Sequence, residues 1–185
     1  MAVTTELVKQ LRAMTGAGMM DVKRALDDTN GDLQKAAELL RERGIAKADK
    51  KADRAAKEGL IGSYIHHNGK IAVLVELNCE TDFVAREESF QELARNVAMH
   101  IAMAAPIYTR KEDVPADALE AEKTALLRQV QEEGKPEHVA EKIVEGRIQK
   151  WLSEIVLLEQ AYVKDDKKSV DQLVKEATAT LGENI

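Results

Sequence analysis

The spacing of apolar positions changes twice along this chain. From residue 4 to 44 they recur at helical intervals: Leu7, Leu11 and Met14 with Val8 beside them, then Val22, Ala25 and Leu26, then Leu33, Ala36, Ala37 and Leu40. Thr4 or Thr5 can cap the first of these helices and Asp32 the third, while Thr15-Gly16-Ala17-Gly18 separates the first two. Asn30-Gly31 is a turn signal, and Gly44 is expected to end the third helix. Three helices in about 40 residues make a minimal bundle, near the lower size limit for independent folding. A bundle that small is expected to be a docking module.

From 59 to 79 the period becomes two, interrupted by Asn68-Gly69. That pair suits a two-residue type I′ hairpin turn, in which both central residues need positive φ. Pairing outward from it places Leu60, Gly62, Tyr64 and His66 on one face with Ile71, Val73, Val75 and Leu77. The opposite face carries Ile61, Ser63, Ile65, Ala72, Leu74 and Glu76. Both faces are partly apolar, and a lone hairpin is marginal in water. Helices are expected over one face, and more sheet or a second chain over part of the other.

Helical spacing then returns. Ser89-Phe90-Gln91-Glu92 reads as a capping box opening a helix with Phe90, Leu93, Ala94, Val97, Ala98 and Ile101 inward, ending before Pro106. A loop over 107–116 closed by Pro115 leads to a helix from Asp117 to Glu133, and Gly134-Lys135-Pro136 breaks it from another over 137–156. Asp165-Asp166-Lys167-Lys168 is read as a turn, before a last helix with Val170, Leu173, Val174, Ala177 and Leu181. Helices, then a hairpin, then helices describe an α+β fold rather than alternating βαβ units. The expected division is a three-helix bundle over 1–44, a linker over 45–58 and a hairpin-based sheet packed with helices over 59–185. In the linker Lys47, Lys50, Lys51, Arg54 and Lys57 outnumber Asp49, Asp53 and Glu58, and no residue larger than Ala is apolar after Ile45. It reads as a solvated, basic, helical spacer, with a basic contact strip as the alternative.

Composition narrows the function classes. Net charge is −6, which argues against binding duplex nucleic acid through the whole surface. One cysteine, Cys79, excludes an internal disulfide and suits a reducing compartment. Polar residues Thr4, Thr5, Glu6, Lys9 and Gln10 stand where a secretory leader would be apolar, and no run approaches the roughly 20 apolar residues of a membrane span. A cytoplasmic protein without a membrane segment is expected.

Chemistry is sparse. Gly16-Ala17-Gly18 follows a helix rather than a strand and lacks the Lys-Ser/Thr of a phosphate loop. His66 and His67, adjacent on a strand, are expected to point to opposite faces, which does not suit a metal. Cys79 reads as a small buried apolar residue and His100 as a satisfied core or boundary histidine. Neither a catalytic constellation nor a cofactor or metal site emerges, so no enzyme is expected. Met19 and Met20 cannot both face one core, because successive helical residues lie about 100° apart. One is expected at the surface, where with Lys9, Arg12 and Lys23 it would suit a protein partner.

The remaining candidate is the acidic corner between hairpin and helix, Asn78-Cys79-Glu80-Thr81-Asp82-Phe83-Val84-Ala85-Arg86. The chain has six aromatic side chains of the Phe, Tyr and Trp types, and one of its two phenylalanines sits here. Leu11–Leu26, with Thr15-Gly16-Ala17-Gly18-Met19-Met20-Asp21 and Lys23-Arg24-Ala25-Leu26, closely resembles the N-terminal module of the bacterial elongation factor Ts family. The corner resembles that family's second signature. Gly134-Lys135-Pro136, Ala140-Glu141-Lys142-Ile143-Val144-Glu145-Gly146-Arg147 and Tyr162-Val163-Lys164-Asp165 match it as well.

This resemblance implies a guanine nucleotide exchange factor for elongation factor Tu, binding its GDP-bound and nucleotide-free forms. It implies that Thr81, Asp82, Phe83 and Val84 form the tip that wedges into the GTPase near the nucleotide's magnesium. Asp82 would contact the partner or cap the turn. The three-helix module resembles a ubiquitin-associated bundle, with Lys9, Arg12, Met19, Met20 and Lys23, and more weakly His66, as further contacts. A ubiquitin-associated-type docking adaptor without exchange activity is the alternative. The single hairpin resembles the short forms of the family, which implies a homodimer. Family members continue past the equivalent of Glu183-Asn184-Ile185 with a basic, aromatic strand. The sequence stops there, truncated or without that strand, which bears on the dimer's sheet edge and not on the tip.

Overall fold

The computed structural model describes residues 3–134 and 136–185; Lys135, at the expected break after the sixth helix, lies outside them. The element order is α1 (Thr5–Thr15), α2 (Met19–Asp28), α3 (Leu33–Asp49), β1 (Glu58–Ile65), β2 (Ala72–Cys79), α4 (Asp82–Ala85), α5 (Glu88–Ala104), α6 (Ala116–Glu132), α7 (Glu137–Ile155), β3 (Ala161–Tyr162), β4 (Asp165–Ser169) and α8 (Val170–Leu181). Single 3-10 turns occupy Lys111–Asp113 and Leu157–Glu159. The fold is α+β. β1 pairs with β2 and β3 with β4, giving two separate two-stranded sheets. The chain divides into two compact units: one takes the chain up to Tyr64, Leu74–Ala98 and Gln172–Ile185, the other Ile65–Val73 and Met99–Asp171.

In the first unit the bundle closes over Leu11, Val22, Ala25, Leu26, Ala36 and Leu40, with Leu7, Val8, Leu33 and Ala37 packed around them. Its punctuation follows the side-chain chemistry. Thr4 caps α1 by accepting from the Leu7 N–H, and Asp32 caps α3 by accepting from Gln34 and Lys35, both at 3.1 Å. These two N–H bonds, with the nearby Lys35 charge, hold the Asp32 carboxyl below its usual range. Asn30 and Gly31 take positive φ in the turn between α2 and α3.

Gly44 does not end α3, which continues to Asp49. The reason is packing: a Cβ on Gly44 would come within 3.1 Å of the Ala179 Cβ, so glycine here admits α8 rather than stopping α3. The segment after Ile45 is likewise not a plain solvated helix. Ala48 is buried, Lys47 pairs with Asp21 at 2.8 Å, and Lys175 of α8 pairs with Asp49 at 2.9 Å. From Lys50 to Arg54 the chain runs in turns. There Lys51 donates to the Gly182 carbonyl and Arg54 reaches Glu80.

The first hairpin keeps the expected alternation. Leu60, Gly62, Tyr64, His66, Val73, Val75 and Leu77 are buried or half-buried, while Ile61, Ser63, Ile65, Ala72, Leu74 and Glu76 are all exposed; Ile71, expected with the inner set, precedes β2 and is exposed as well. Its turn differs from expectation. Asn68 does not take positive φ, and only Gly69 does. Gly69 N–H donates to the His66 carbonyl, Asn68 Oδ1 accepts from the Lys70 N–H, and His66 N–H donates to the Ile71 carbonyl. The Asn68 side chain thus supports a longer loop in place of the type I′ turn. Because Ile65 is the last strand residue, His66 and His67 do not diverge: their ring centroids lie 4.1 Å apart. At Gly62 a Cβ would stand 2.8 Å from the Ala94 Cβ, so the missing side chain lets α5 lie directly on β1.

The second unit has its own core of Val114, Leu126, Ile148, Leu152 and Val156, joined by Tyr108, Leu119, Val144, Trp151 and Ile155. α6 and α7 supply most of it. Ile107 and Tyr108 N–H groups donate to the Ile155 carbonyl, and Leu157 donates back to Tyr108, tying the loop after α5 to the end of α7. Asp165-Asp166-Lys167-Lys168 is not a turn but most of β4; the turn is Val163-Lys164. The charged run hid this second hairpin, whose register shifts between Ala161 and Tyr162. His100 is fully buried here. Its Nδ1 accepts from the Val163 N–H at 3.3 Å, which leaves Nε2–H to donate to Gln160 Oε1 at 2.9 Å. Gln160 in turn donates to the Ala104 and Glu154 carbonyls. Burial pushes the His100 pKa down.

Candidate functional site

The corner after β2 is built around one hydroxyl. Thr81, in extended conformation at φ −130°, accepts the Val84 N–H and so caps the four-residue turn α4. The capping residue is Thr81, not Asp82, whose carboxylate instead pairs with Arg86 at 2.6 Å along the surface. Nor is the Ser89 capping box used: α5 begins at Glu88, one residue ahead of that serine, and the Glu87 carbonyl accepts from Phe90 and Gln91.

The turn has an inside and an outside. Val84 is buried and Cys79 fully so, with the thiol donating to the Thr81 carbonyl at 3.1 Å. Burial, and then the nearby Glu183 charge, push the Cys79 thiol pKa up, which leaves it a packing group rather than a nucleophile. Phe83 points the other way and is 75% exposed. An aromatic ring standing that far into solvent forgoes on the order of 2 kcal/mol of burial free energy, so the fold itself gives no reason for Phe at this position.

Residues far along the chain hold the corner from behind. Glu183 Oε2 accepts the Glu80 and Thr81 N–H groups at 3.0 and 2.9 Å, and its Oε1 accepts the Thr81 hydroxyl at 2.6 Å. Asn184 N–H donates to Glu80 Oε1 at 2.8 Å, and its side-chain amide donates to the Ala52 and Arg54 carbonyls. The Asn184 N–H, more than the Arg54 charge, holds the Glu80 carboxyl below its usual range against partial burial. Periodicity carried no signal for Glu183 and Asn184, which follow the last helix about a hundred residues away.

The other anticipated contacts lie on the bundle. Lys9, Arg12 and Lys23 are exposed. Met19 and Met20 are both exposed, at 50% and 61%, rather than one turned inward, and Met14, expected on the same apolar face as Leu7 and Leu11, is exposed too, at 59%. The buried stripe of α2 is Val22, Ala25 and Leu26, and the two methionines at its first positions precede it. His66 is half-buried at the hairpin turn. Among the described residues no group of His, Cys, Asp and Glu could hold a metal ion, and no helix is long and apolar enough to cross a membrane.

Comparison with known proteins gives one answer. The family model described as Elongation factor TS matches residues 4–185. Elongation factor Ts of Thermosipho melanesiensis is 55% identical over 183 residues, spanning 99% of this chain and 93% of that protein. Elongation factor Ts of Geobacter sulfurreducens is 54% identical over 185 residues, all of this chain and 86% of its own length. That of Nitratidesulfovibrio vulgaris is 55% identical over the same 185 residues and 92% of its own length. With both signatures in place and the match running from the first helix cap to Ile185, the chain belongs to the elongation factor Ts family.

Proposed function

We propose that this translation elongation factor promotes release of GDP from elongation factor Tu, with Phe83 as the wedge. The observation that supports this most is the 75% exposure of Phe83 on a short turn whose other side is packed and hydrogen-bonded. Mg²⁺ demands near-octahedral coordination and neutralises nucleotide phosphates in such GTPases. A rigid ring pushed among the groups around that ion spoils its geometry, uncovers phosphate repulsion and speeds GDP loss. The factor then holds the empty GTPase until a new nucleotide arrives. By linkage, factor and nucleotide weaken each other's binding to the same degree. Such exchange makes and breaks no covalent bond, so it needs no nucleophile and no cofactor.

Within the tip Phe83 makes the central contact and Asp82 flanks it. Thr81 and Val84 act from behind, one as cap and the other as anchor. The bundle over residues 1–44 is the second docking surface, through Met19, Met20, Lys9, Arg12 and Lys23, since exposed methionines adapt readily to a partner; His66 is a lesser contact. The segment 45–58 connects it to a core over 59–185. A second copy of the chain covers the exposed hairpin residues Ile61, Ile65 and Leu74, which are 60%, 73% and 76% exposed. Sedimentation at micromolar concentration checks this: a fully active monomer refutes the homodimer. The complex forms in the cytoplasm, without direct contact to nucleic acid.

Release of a fluorescent GDP analogue from elongation factor Tu tests the reading. Phe83→Ala should slow stimulated release by about 30-fold or more, the size of a binding hot spot, with an unchanged circular dichroism spectrum. Unchanged release would sink the wedge. Failure of the unaltered protein to accelerate release, while still binding through its bundle, would favour a docking adaptor.

A further inference from the structure

We propose that Glu183 is a positioning residue for the Phe83 tip, an assignment that rests on the exchange reading above. A four-residue helical turn does not stand alone, because the first hydrogen-bonded turn of any helix costs more than it returns. α4 therefore depends on its cap. The Thr81 hydroxyl can accept the Val84 N–H at 3.4 Å only with a lone pair turned that way. Donation of its proton to Glu183 Oε1 at 2.6 Å sets that orientation. The same carboxylate fixes the backbone just before the turn through the Glu80 and Thr81 N–H groups. Charge-assisted bonds of this kind are roughly twice as strong as neutral ones.

The carboxylate is itself held. α8 ends at Leu181 and Gly182 turns the chain at φ 83°. Lys51 grips the Gly182 carbonyl at 2.6 Å, and Asn184 binds Glu80 on one side and the Ala52 and Arg54 carbonyls on the other. The path from Glu183 to Phe83 is thus short and directed: carboxylate, Thr81 hydroxyl, Val84 amide, and the turn that carries the ring. A ring fixed before encounter loses less conformational freedom on binding than one on a frayed turn. Glu183 thereby raises exchange activity without touching the partner.

The test uses the full chain in two arms. In hydrogen–deuterium exchange, Glu183→Gln should speed amide exchange at residues 80–84 by about tenfold, as expected for a lost charge-assisted bond, leaving α1 to α3 and α6 to α7 unchanged. In nucleotide release, Glu183→Gln should slow stimulated GDP loss by about tenfold, yet add nothing in a Phe83→Ala background, because coupled residues are non-additive. Unchanged amides at 80–84, or effects that multiply in the double variant, would overturn the assignment. Failure of the unaltered protein to stimulate release would instead sink the exchange reading, and normal release in Phe83→Ala would sink the wedge; in both cases the amide arm would still decide whether Glu183 holds the tip. If Glu183→Gln fails to fold, Thr81→Val and Thr81→Ser serve. Valine should free the turn and serine restore it; identical behaviour of the two refutes the chain of bonds.

Discussion

Two polar clusters, each centred on one titratable side chain, are put to opposite uses in this protein. At the corner, the Glu183 carboxylate gathers the donors of Glu80 and Thr81. One turn further on, Phe83 stands in solvent. At the second site, the neutral ring of His100 accepts from Val163 and donates to Gln160; His100 and Gln160 are both buried, and Val163 at the rim is 42% exposed against 75% for Phe83. The first cluster is half-buried and caps a turn that carries an exposed ring. The second satisfies loop and helix ends that would otherwise be buried without partners. Hydrogen bonding alone does not distinguish a site from a staple. What distinguishes them is the exposed side chain that the fold has no use for.

The largest effect expected from breaking this contrast is on stability, at the second cluster. His100→Ala leaves a cavity and strips partners from Gln160 and the Val163 N–H, a loss of about 3 kcal/mol. Chemical denaturation should register it. Stimulated GDP release per folded molecule should stay near that of the unaltered protein, the reverse of the pattern expected for Phe83→Ala. A His100→Ala protein of normal stability but defective exchange would make the second cluster functional and erase the distinction.

How far the sequence reaches differs between the two clusters for a physical reason. Helix faces, the Thr4 and Asp32 caps, the hairpin alternation and burial of Cys79 and His100 are local or periodic facts, legible from neighbours in the chain. Structure departs from the local pattern where a distant element intervenes. Gly44 looked like a stop because glycine usually ends helices, but α8 needed the space. Asp165-Asp166-Lys167-Lys168 reads as a turn because its strand character comes from pairing with β3, not from its own side chains. Of the site itself, the rare phenylalanine between strand and helix was visible. Asp82 reads as the candidate cap of its turn where Thr81 is the actual one, and the brace at Glu183 leaves no trace in the sequence, because carboxylate and hydroxyl meet only after folding.

A pH titration should separate the clusters in sequence. The folded-state pKa of His100 lies below its ordinary value of 6.5, so the unfolded chain takes up the proton first. Between those values the native state binds fewer protons, and stability falls as pH drops through and below 6.5. Protonation would also set an Nδ1 proton against the Val163 N–H. Glu80 responds lower down. Its carboxyl is depressed by the Asn184 N–H, so its contribution is present above the ordinary carboxylate range and lost as pH falls through it. Melting temperature should therefore decline as pH falls through 6.5 while amide protection at residues 80–84 persists, with the corner loosening only below the ordinary carboxylate value of 4.5. His100→Gln should flatten the first phase and leave the second. Simultaneous loss of both would mean the clusters are one cooperative system.

The smallest expected effect is at Cys79, and it sharpens the corner's division into inside and outside. The thiol is fully buried and donates to the Thr81 carbonyl. Serine can make the same bond, but its shorter C–O bond and stronger hydration leave a small gap and a costlier burial. Cys79→Ser should cost about 1 kcal/mol in stability and retain most stimulated release, because the hydrogen bond to Thr81 and the cap on Val84 survive. With the thiol pKa raised by burial, reaction with a thiol reagent at neutral pH should be slow in the native protein and fast after unfolding. Rapid native labelling, or complete loss of exchange in a folded Cys79→Ser protein, would place the working chemistry of the corner at its sulfur rather than at its ring.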